Sequence, residues 1–181
     1  MSLDQINHSN GNTYDLIDGS FFHLTEASNS LVMHNARIGS GVLLSVSAIA
    51  NMPGLAGAIT SYAAFNSEQE KEAYWEKVRA ASFSQLPSRL KSFYCFEDRS
   101  NAEAANKKWF NDDRAILELR IIHGSQIARV DTQWLNCNEE KWPHHSKEYW
   151  SGTMTNDPFV EIIVSGCMYF PDWKNFRLLG T

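Results

Sequence analysis

Glu161 is the residue whose position in the sequence most directly suggests chemistry. It stands at the entrance of an apolar run in the segment DPFVEIIVSG, residues 157–166. The β-branched residues that follow it are typical of a strand covered on both faces, and a proline and a glycine delimit the run. A carboxylate at the start of such a strand is exposed, paired with a cation or used in a reaction.

Two further residues with reactive or stacking side chains stand in apolar, strand-like segments. His23 lies in FFHLT and Tyr94 lies in SFYCFE. Each residue, including Glu161, also has a purely structural interpretation. His23 fits a hydrogen-bonded core histidine, Tyr94 fits strand packing, and Glu161 fits an ion pair with an arginine at the core edge, such as Arg120 or Arg177.

Other common site signatures are weak or absent from the sequence. Cys137 with the adjacent His144 and His145 is the one metal-like group, but its spacing matches no standard zinc pattern, and we predict no metal site. The chain has no G-x-G-x-x-G after a strand, no G-x-x-x-x-G-K-[ST] and no G-x-S-x-G. These absences argue against the commonest nucleotide-binding loops and hydrolase elbows.

Composition is that of an ordinary globular protein. The chain has 181 residues, of which 43% are hydrophobic and 20% charged, so we predict one domain over residues 1–181. The net charge of -5 argues against a broad electrostatic grip on nucleic acid or anionic lipid. Three cysteines form no paired framework, which favours a reducing compartment.

The N-terminal residues lack the basic and then apolar pattern of a signal peptide, so we expect a cytoplasmic protein, or one delivered to a target cell by a signal-peptide-independent route. Residues 38–67 carry no charge, but Asn, Pro, Gly and several Ser and Thr interrupt them. The pattern favours two short apolar segments joined by a turn at 51–54, and no membrane contact.

Local patterns predict a mixture of helices and strands. The strand segments are 19–25, 91–98, 114–124, 126–135 and FVEIIVSGCMYF at 159–170. A helix is predicted over 67–82, opened by a Ser67 to Glu70 capping box, and another from about Ser100 or Asn101. Residues 136–157 are predicted to be a long polar connection, and loops of that size are often functional.

Three separated segments together resemble the ADP-ribosyltransferase superfamily. FFHLT is similar to its first strand, FYCFEDRSNAEAANKKW to its second strand and the following helix, and FVEIIVSG to the late strand that carries its catalytic glutamate. The order of His23, Tyr94 and Glu161 resembles the His-Tyr-Glu arrangement of the diphtheria-toxin and poly(ADP-ribose) polymerase side of that superfamily. The resemblance implies an α+β fold with an ADP-ribosyltransferase-like split β-sheet core and flanking helices.

The resemblance also implies roles for individual residues, with NAD as the substrate. Glu161 is expected to stabilise positive charge on the ribose and His23 to hydrogen-bond the adenosine-side ribose. Thr25 is expected beside His23, and Tyr94 is expected to stack on nicotinamide. Arg37, the cation nearest to the uncharged stretch, is expected to meet the pyrophosphate, with a surface arginine as the alternative.

The acceptor is left open by the sequence. The arginine-specific branch has an acidic residue two positions before its glutamate, where this chain has Phe159, so arginine is not the expected acceptor. Tyr149, Trp150 and Ser151 precede the glutamate strand and are expected to recognise the target, or else to pack as an aromatic anchor.

Three classes of function follow from the resemblance. The first is a mono-ADP-ribosyltransferase, for example a toxin or effector, that acts on a macromolecular acceptor such as a protein or a nucleic acid. The second is a non-catalytic module of the same fold that binds a nucleotide or a partner. The third is an RNA 2′-phosphotransferase, which the acidic charge disfavours.

Overall fold

The computed structural model describes residues 4–8, 11–26, 30–50, 52–60, 63–64 and 67–176, and these residues form a mixed α+β structure with a large antiparallel sheet. The strands are β1 (Gln5–Asn7), β2 (Thr13–Asp15), β3 (Phe21–Glu26), β4 (Val42–Leu44), β5 (Phe93–Phe96), β6 (Arg114–Ile121), β7 (Gln126–Asp131), β8 (Val160–Ser165) and β9 (Cys167–Tyr169). The helices are α1 (Ser30–Ile38), α2 (Val46–Ile49), α3 (Gln69–Ser82), α4 (Arg99–Phe110) and α5 (Trp142–Ser151), with 3₁₀ turns at Thr132–Leu135 and Glu139–Lys141.

The chain divides into two compact units, and neither is continuous in sequence. The first unit contains Met1–Leu44, Cys95–Ser125 and Gly166–Thr181, and the second contains Ser45–Tyr94 and Gln126–Ser165. Among the residues that the structure describes, no helix is long and apolar enough to cross a membrane.

The first unit is built around antiparallel strands in the order β4, β9, β6 and β3. β3 also pairs with the end of β5, where His23 lies opposite Cys95. The alternating pattern of β6 places Leu117, Leu119 and Ile121 in the core, and α4 packs against β3 and β6 through small buried alanines. Asp98 begins α4 as its N-cap by accepting a 2.7 Å hydrogen bond from the Asn101 amide.

The second unit contains the antiparallel pair β7 and β8, together with α3 and α5, which pack on each other. Its core is aromatic, and Trp75 of α3 and Trp150 of α5 are its largest buried side chains. Trp150 Nε1 donates a 2.9 Å hydrogen bond to the Trp75 carbonyl, so the two helices are joined by both packing and a polar contact.

The strand predicted over 126–135 ends at Asp131 and is followed by a 3₁₀ turn at Thr132–Leu135. Two further local predictions are wrong. The predicted capping box does not form, because the N-cap residue of α3 is Glu68, whose carboxylate is paired with Lys71 Nζ at 2.6 Å rather than with a backbone amide. The predicted long connection at 136–157 contains α5, which has a proline in its first turn and ends at Gly152 in the left-handed conformation, with φ of 76°. The polar, aromatic-rich composition concealed this helix.

Candidate functional site

Glu161 lies in β8, directly opposite Val130 of β7. The strand is covered on both sides, as the sequence predicted, and Glu161 itself retains only 6% of its surface exposure. A carboxylate so far removed from water requires a compensating charge or hydrogen bond.

Arg89 supplies that compensation and holds two carboxylates together. Its Nε and Nη2 donate to the two oxygens of Glu72 at 2.9 and 2.8 Å, in the parallel two-bond geometry favoured by arginine and carboxylate. Its Nη1 lies 3.4 Å from Glu161 Oε2 and also donates to the Tyr149 hydroxyl. Arg89 is 2% exposed, so the whole cluster is desolvated.

The cluster contains one more carboxyl group than cations, and this imbalance affects Glu161. Burial raises the pKa of Glu161 to about 7, while Arg89 lowers that pKa and Glu72 raises it. Within the described part of the chain, Glu161 Oε1 accepts no hydrogen bond, since Arg89 reaches only Oε2. The Glu161 carboxyl therefore binds a proton more tightly than an exposed glutamate does, and within the described residues one of its oxygens accepts no hydrogen bond.

Two tyrosines flank the Arg89 guanidinium. Its central carbon lies 5.2 Å from the ring centroid of Tyr94 and 5.3 Å from that of Tyr149. The Tyr94 hydroxyl donates to the Arg89 carbonyl. Burial raises the pKa of both hydroxyls, so both remain protonated donors. Arg89 thus covers one face of the Tyr94 ring, and the ring also packs against the aromatic core of the second unit.

The three residues predicted to recognise a target lie at the end of α5. Tyr149 and Trp150 are buried in the aromatic core of the second unit, so both occupy the packing role that was the alternative interpretation. Ser151 is exposed, and its hydroxyl donates to the Glu148 carbonyl at 2.8 Å. The physical reason is the helix, which turns the two rings inward and leaves the serine outside.

His23, Thr25 and Arg37 belong to the first unit. His23 is half-buried on β3 between Leu117 of β6 and Cys95 of β5, while Thr25 is buried in the same strand. Arg37 is exposed in the last turn of α1, where a cation favours the negative end of the helix dipole.

The model of the family described as protein of unknown function (DUF2441) matches residues 6–172. The chain belongs to this family. No curated protein matches the chain.

Asp131 fixes the segment of the chain that leads into the Glu161 strand. Its Oδ1 accepts from the amides of Gln133 and Phe159, each at 3.0 Å, and its Oδ2 accepts from the amide and hydroxyl of Thr155 at 2.8 and 2.6 Å. Burial would raise the pKa of Asp131, but these hydrogen bonds outweigh burial and lower that pKa. The Phe159 carbonyl is held as well, by the amide and hydroxyl of Thr132, each at 2.9 Å. The backbone two residues before Glu161 is thus fixed on both sides.

The residues considered for zinc have other contacts. His145 Nδ1 and Cys137 Sγ both lie near the Trp134 carbonyl, at 3.1 and 3.5 Å, and His144 lies 3.6 Å from Glu148. In the described ranges, no three His, Cys, Asp or Glu side chains form a group able to hold a metal ion.

Glu161 does pair with an arginine, but that arginine is Arg89 and not Arg120, and the sequence did not single out Arg89 or its partner Glu72. Arg120 pairs instead with Asp4 at 3.3 Å, and Arg177 lies outside the described residues. Arg89 gave no periodic signal because it lies in a loop. Glu72 did give one, since it stands one helical turn before Trp75, on the buried face of α3.

Proposed function

We propose that the protein is an NAD-dependent mono-ADP-ribosyltransferase of a macromolecular target, a protein or a nucleic acid, with Glu161 as its catalytic carboxylate. A role as a toxin or effector fits such an activity. The observation that carries the proposal is the Glu161 side chain, whose Oε2 is oriented by Arg89, whose Oε1 accepts no hydrogen bond within the described residues, and whose pKa is about 7. A rigid strand and a fixed preceding segment position this group, as catalysis requires.

The chemistry needs a carboxylate of this kind. When the bond between nicotinamide and ribose breaks, its electron pair leaves with nicotinamide and positive charge develops on the sugar, as it does in glycoside hydrolysis. A nearby carboxylate stabilises that charge in the transition state. The nucleophile of the acceptor then bonds to the ribose carbon and loses its proton to solvent. Glu161 acts in its ionised form, which Arg89 favours electrostatically.

The contribution of the other predicted residues follows from the resemblance. Tyr94 is proposed to stack on nicotinamide, while His23, Thr25 and Arg37 are proposed to bind the adenosine and pyrophosphate portions of NAD. Tyr149 and Trp150 support the site by packing, and Ser151 remains proposed as a contact for the acceptor.

Nicotinamide release from NAD, followed by chromatography, tests the proposal. We expect Glu161→Gln to lower the rate by about a hundredfold or more, since one electrostatic contact to the transition state is removed. Glu103→Gln is the matched control, because it removes a carboxylate from a surface ion pair on α4. The catalytic role of Glu161 is contradicted if Glu161→Gln releases nicotinamide at the wild-type rate. An enzymatic role is contradicted if the wild type releases no nicotinamide with protein extracts, nucleic acid or 2′-phosphorylated RNA as acceptor.

A non-catalytic module that binds a nucleotide or a partner is the second candidate function. It is favoured by the same Arg89, because a buried arginine that joins Glu72, Glu161 and two tyrosines is also a common structural arrangement. Calorimetric titration with NAD separates the two functions. NAD binding by the wild type and by Glu161→Gln, with no nicotinamide release by either, supports the binding module.

Variants of Tyr94 test whether its ring contacts the ligand. In a stacking role, Tyr94→Ala weakens NAD binding by about 1–2 kcal/mol. Tyr94→Phe keeps the ring and so keeps NAD affinity, while the lost hydrogen bond to Arg89 lowers stability by about 1 kcal/mol. Unchanged NAD affinity in folded Tyr94→Ala removes Tyr94 from the binding site.

A further inference from the structure

A depression on the surface of the first unit is lined by none of the site residues considered so far. Its volume is about 450 Å³, within the range of small-molecule pockets. It is lined by Asn7, His8, Ser40, Tyr169, Pro171, Trp173 and Lys174.

Two aromatic side chains form one wall of this depression, and Gly41 sets their position. Gly41 has φ of +92°, a conformation that other residues rarely adopt. A Cβ atom there would lie 2.6 Å from both Trp173 Cδ1 and Tyr169 Cε2. The Gly41 carbonyl also accepts a 2.8 Å hydrogen bond from the Phe170 amide. The absence of a side chain at Gly41 therefore allows both rings to lie against the backbone beside the depression.

The polar groups that line the depression are the side chains of Asn7, His8, Ser40 and Lys174 and the hydroxyl of Tyr169. Lys174 Nζ lies over the Trp173 ring, 5.3 Å from its centroid. His8 Nε2 lies 2.5 Å from the Gly39 carbonyl, which can only accept, so this nitrogen carries a proton. Asn7 Oδ1 accepts from the Thr13 hydroxyl at 2.9 Å, which leaves its amide nitrogen as the donating end. None of the lining residues carries a negative charge.

We propose that this depression binds a small planar aromatic anion, whose ring lies against Trp173 and Tyr169 and whose negative group meets Lys174. An aromatic wall suits a flat ring of any identity, because stacking depends on the π-face rather than on particular hydrogen bonds. A lysine in a lining that contains no carboxylate favours a phosphate or carboxylate over a cation. A nucleoside monophosphate and an aryl carboxylate share this chemistry.

The test measures equilibrium binding without NAD, so its result is independent of the proposed transferase activity. Phenyl phosphate is the main probe, titrated while the indole N–H signals of the tryptophans are followed by ¹H–¹⁵N NMR. The Trp173 signal is assigned by its loss in Trp173→Phe. Titrations with benzoate and adenosine monophosphate distinguish a carboxylate from a phosphate as the anion. Inorganic phosphate supplies the anionic group without the ring, and phenol supplies the ring without the anionic group.

We expect phenyl phosphate to shift the Trp173 signal saturably and to bind more tightly than either inorganic phosphate or phenol. Trp173→Ala is expected to weaken binding by about tenfold, the effect of losing one stacked ring. Lys174→Ala is expected to weaken it at least threefold. Tighter binding of adenosine monophosphate than of benzoate identifies a nucleotide site, and the reverse identifies a carboxylate site.

The first unit offers a matched control pair. Lys108 Nζ lies 5.8 Å from the ring centroid of Trp109, and neither residue lines the depression. We expect Lys108→Ala and Trp109→Ala to leave phenyl phosphate binding unchanged. The proposal is overturned if phenyl phosphate does not perturb Trp173, if folded Lys174→Ala binds it as the wild type does, or if inorganic phosphate or phenol binds equally well.

Discussion

The free energy of unfolding of Glu161→Gln, compared with that of the wild type, should increase as pH rises. The folded state holds the Glu161 pKa at about 7, above its ordinary value of 4.5, chiefly because the carboxyl is buried. Between these two pH values the folded state binds more protons than the unfolded state, so Glu161 reduces wild-type stability as pH rises through this window. Glutamine has similar size and no titration, so the variant is free of this effect.

The expected magnitude follows from the two pKa values. A difference between 4.5 and about 7, at roughly 1.4 kcal/mol for each factor of ten in proton affinity, corresponds to about 3 kcal/mol. Glu161 is 6% exposed, so solvent screening takes little from this figure. The difference in unfolding free energy between Glu161→Gln and the wild type should therefore move by about 3 kcal/mol in favour of glutamine from pH 4 to pH 8.

Urea titrations of both proteins across this pH range measure the effect directly. For a chain of this length, 3 kcal/mol also corresponds to about 6–12 °C in melting temperature, which thermal scans resolve. Glu103→Gln, a change in a surface ion pair on α4, controls for the removal of one carboxylate. Titration of the Glu161 carboxyl carbon by ¹³C NMR gives its pKa independently.

A stability difference that is constant from pH 4 to pH 8 would refute this reasoning. So would a difference that moves in favour of the wild type, because it would mean that Arg89 outweighs burial and lowers the Glu161 pKa. The outcome does not depend on any enzymatic activity, so it tests the site geometry separately from the proposed function.

Three further predictions concern the same unit. Arg89→Met leaves Glu72 and Glu161 without their shared cation, and urea titration at pH 8 should show a loss of about 3–5 kcal/mol that shrinks at pH 4; an equal loss at both pH values would count against the ion-pair cluster. Asp131→Ala leaves the donors of Thr155 and Phe159 unpaired, which should lower the free energy of unfolding by about 1–3 kcal/mol for each donor, and hydrogen exchange should accelerate at those two amides. Unchanged exchange would show that Asp131 does not hold this segment in place. If nicotinamide release requires ionised Glu161, its rate should rise with pH through about 7, and a flat profile would dissociate Glu161 from the reaction.

Strand predictions succeeded where the signal was local. The segments around His23, Tyr94 and Glu161 form β3, β5 and β8, because β-branched and aromatic residues bounded by turn residues favour strands in any context. The helix α5 was missed because only Trp142, Tyr149 and Trp150 mark its buried face, among histidines and charged residues. A proline near its start and a glycine at its end were the local signals that indicated it.

The sequence by itself determined the α+β character of the chain and the burial of the Glu161 strand, since both depend on residues that are neighbours along the chain. Only the tertiary structure decided what Glu161 meets. Arg89 and Glu72 are 72 and 89 positions away from it, and their meeting depends on how α3, α5 and the β7–β8 pair pack in the second unit. Burial and a shared cation then set the proton affinity of Glu161, and neither quantity is a property of a local pattern.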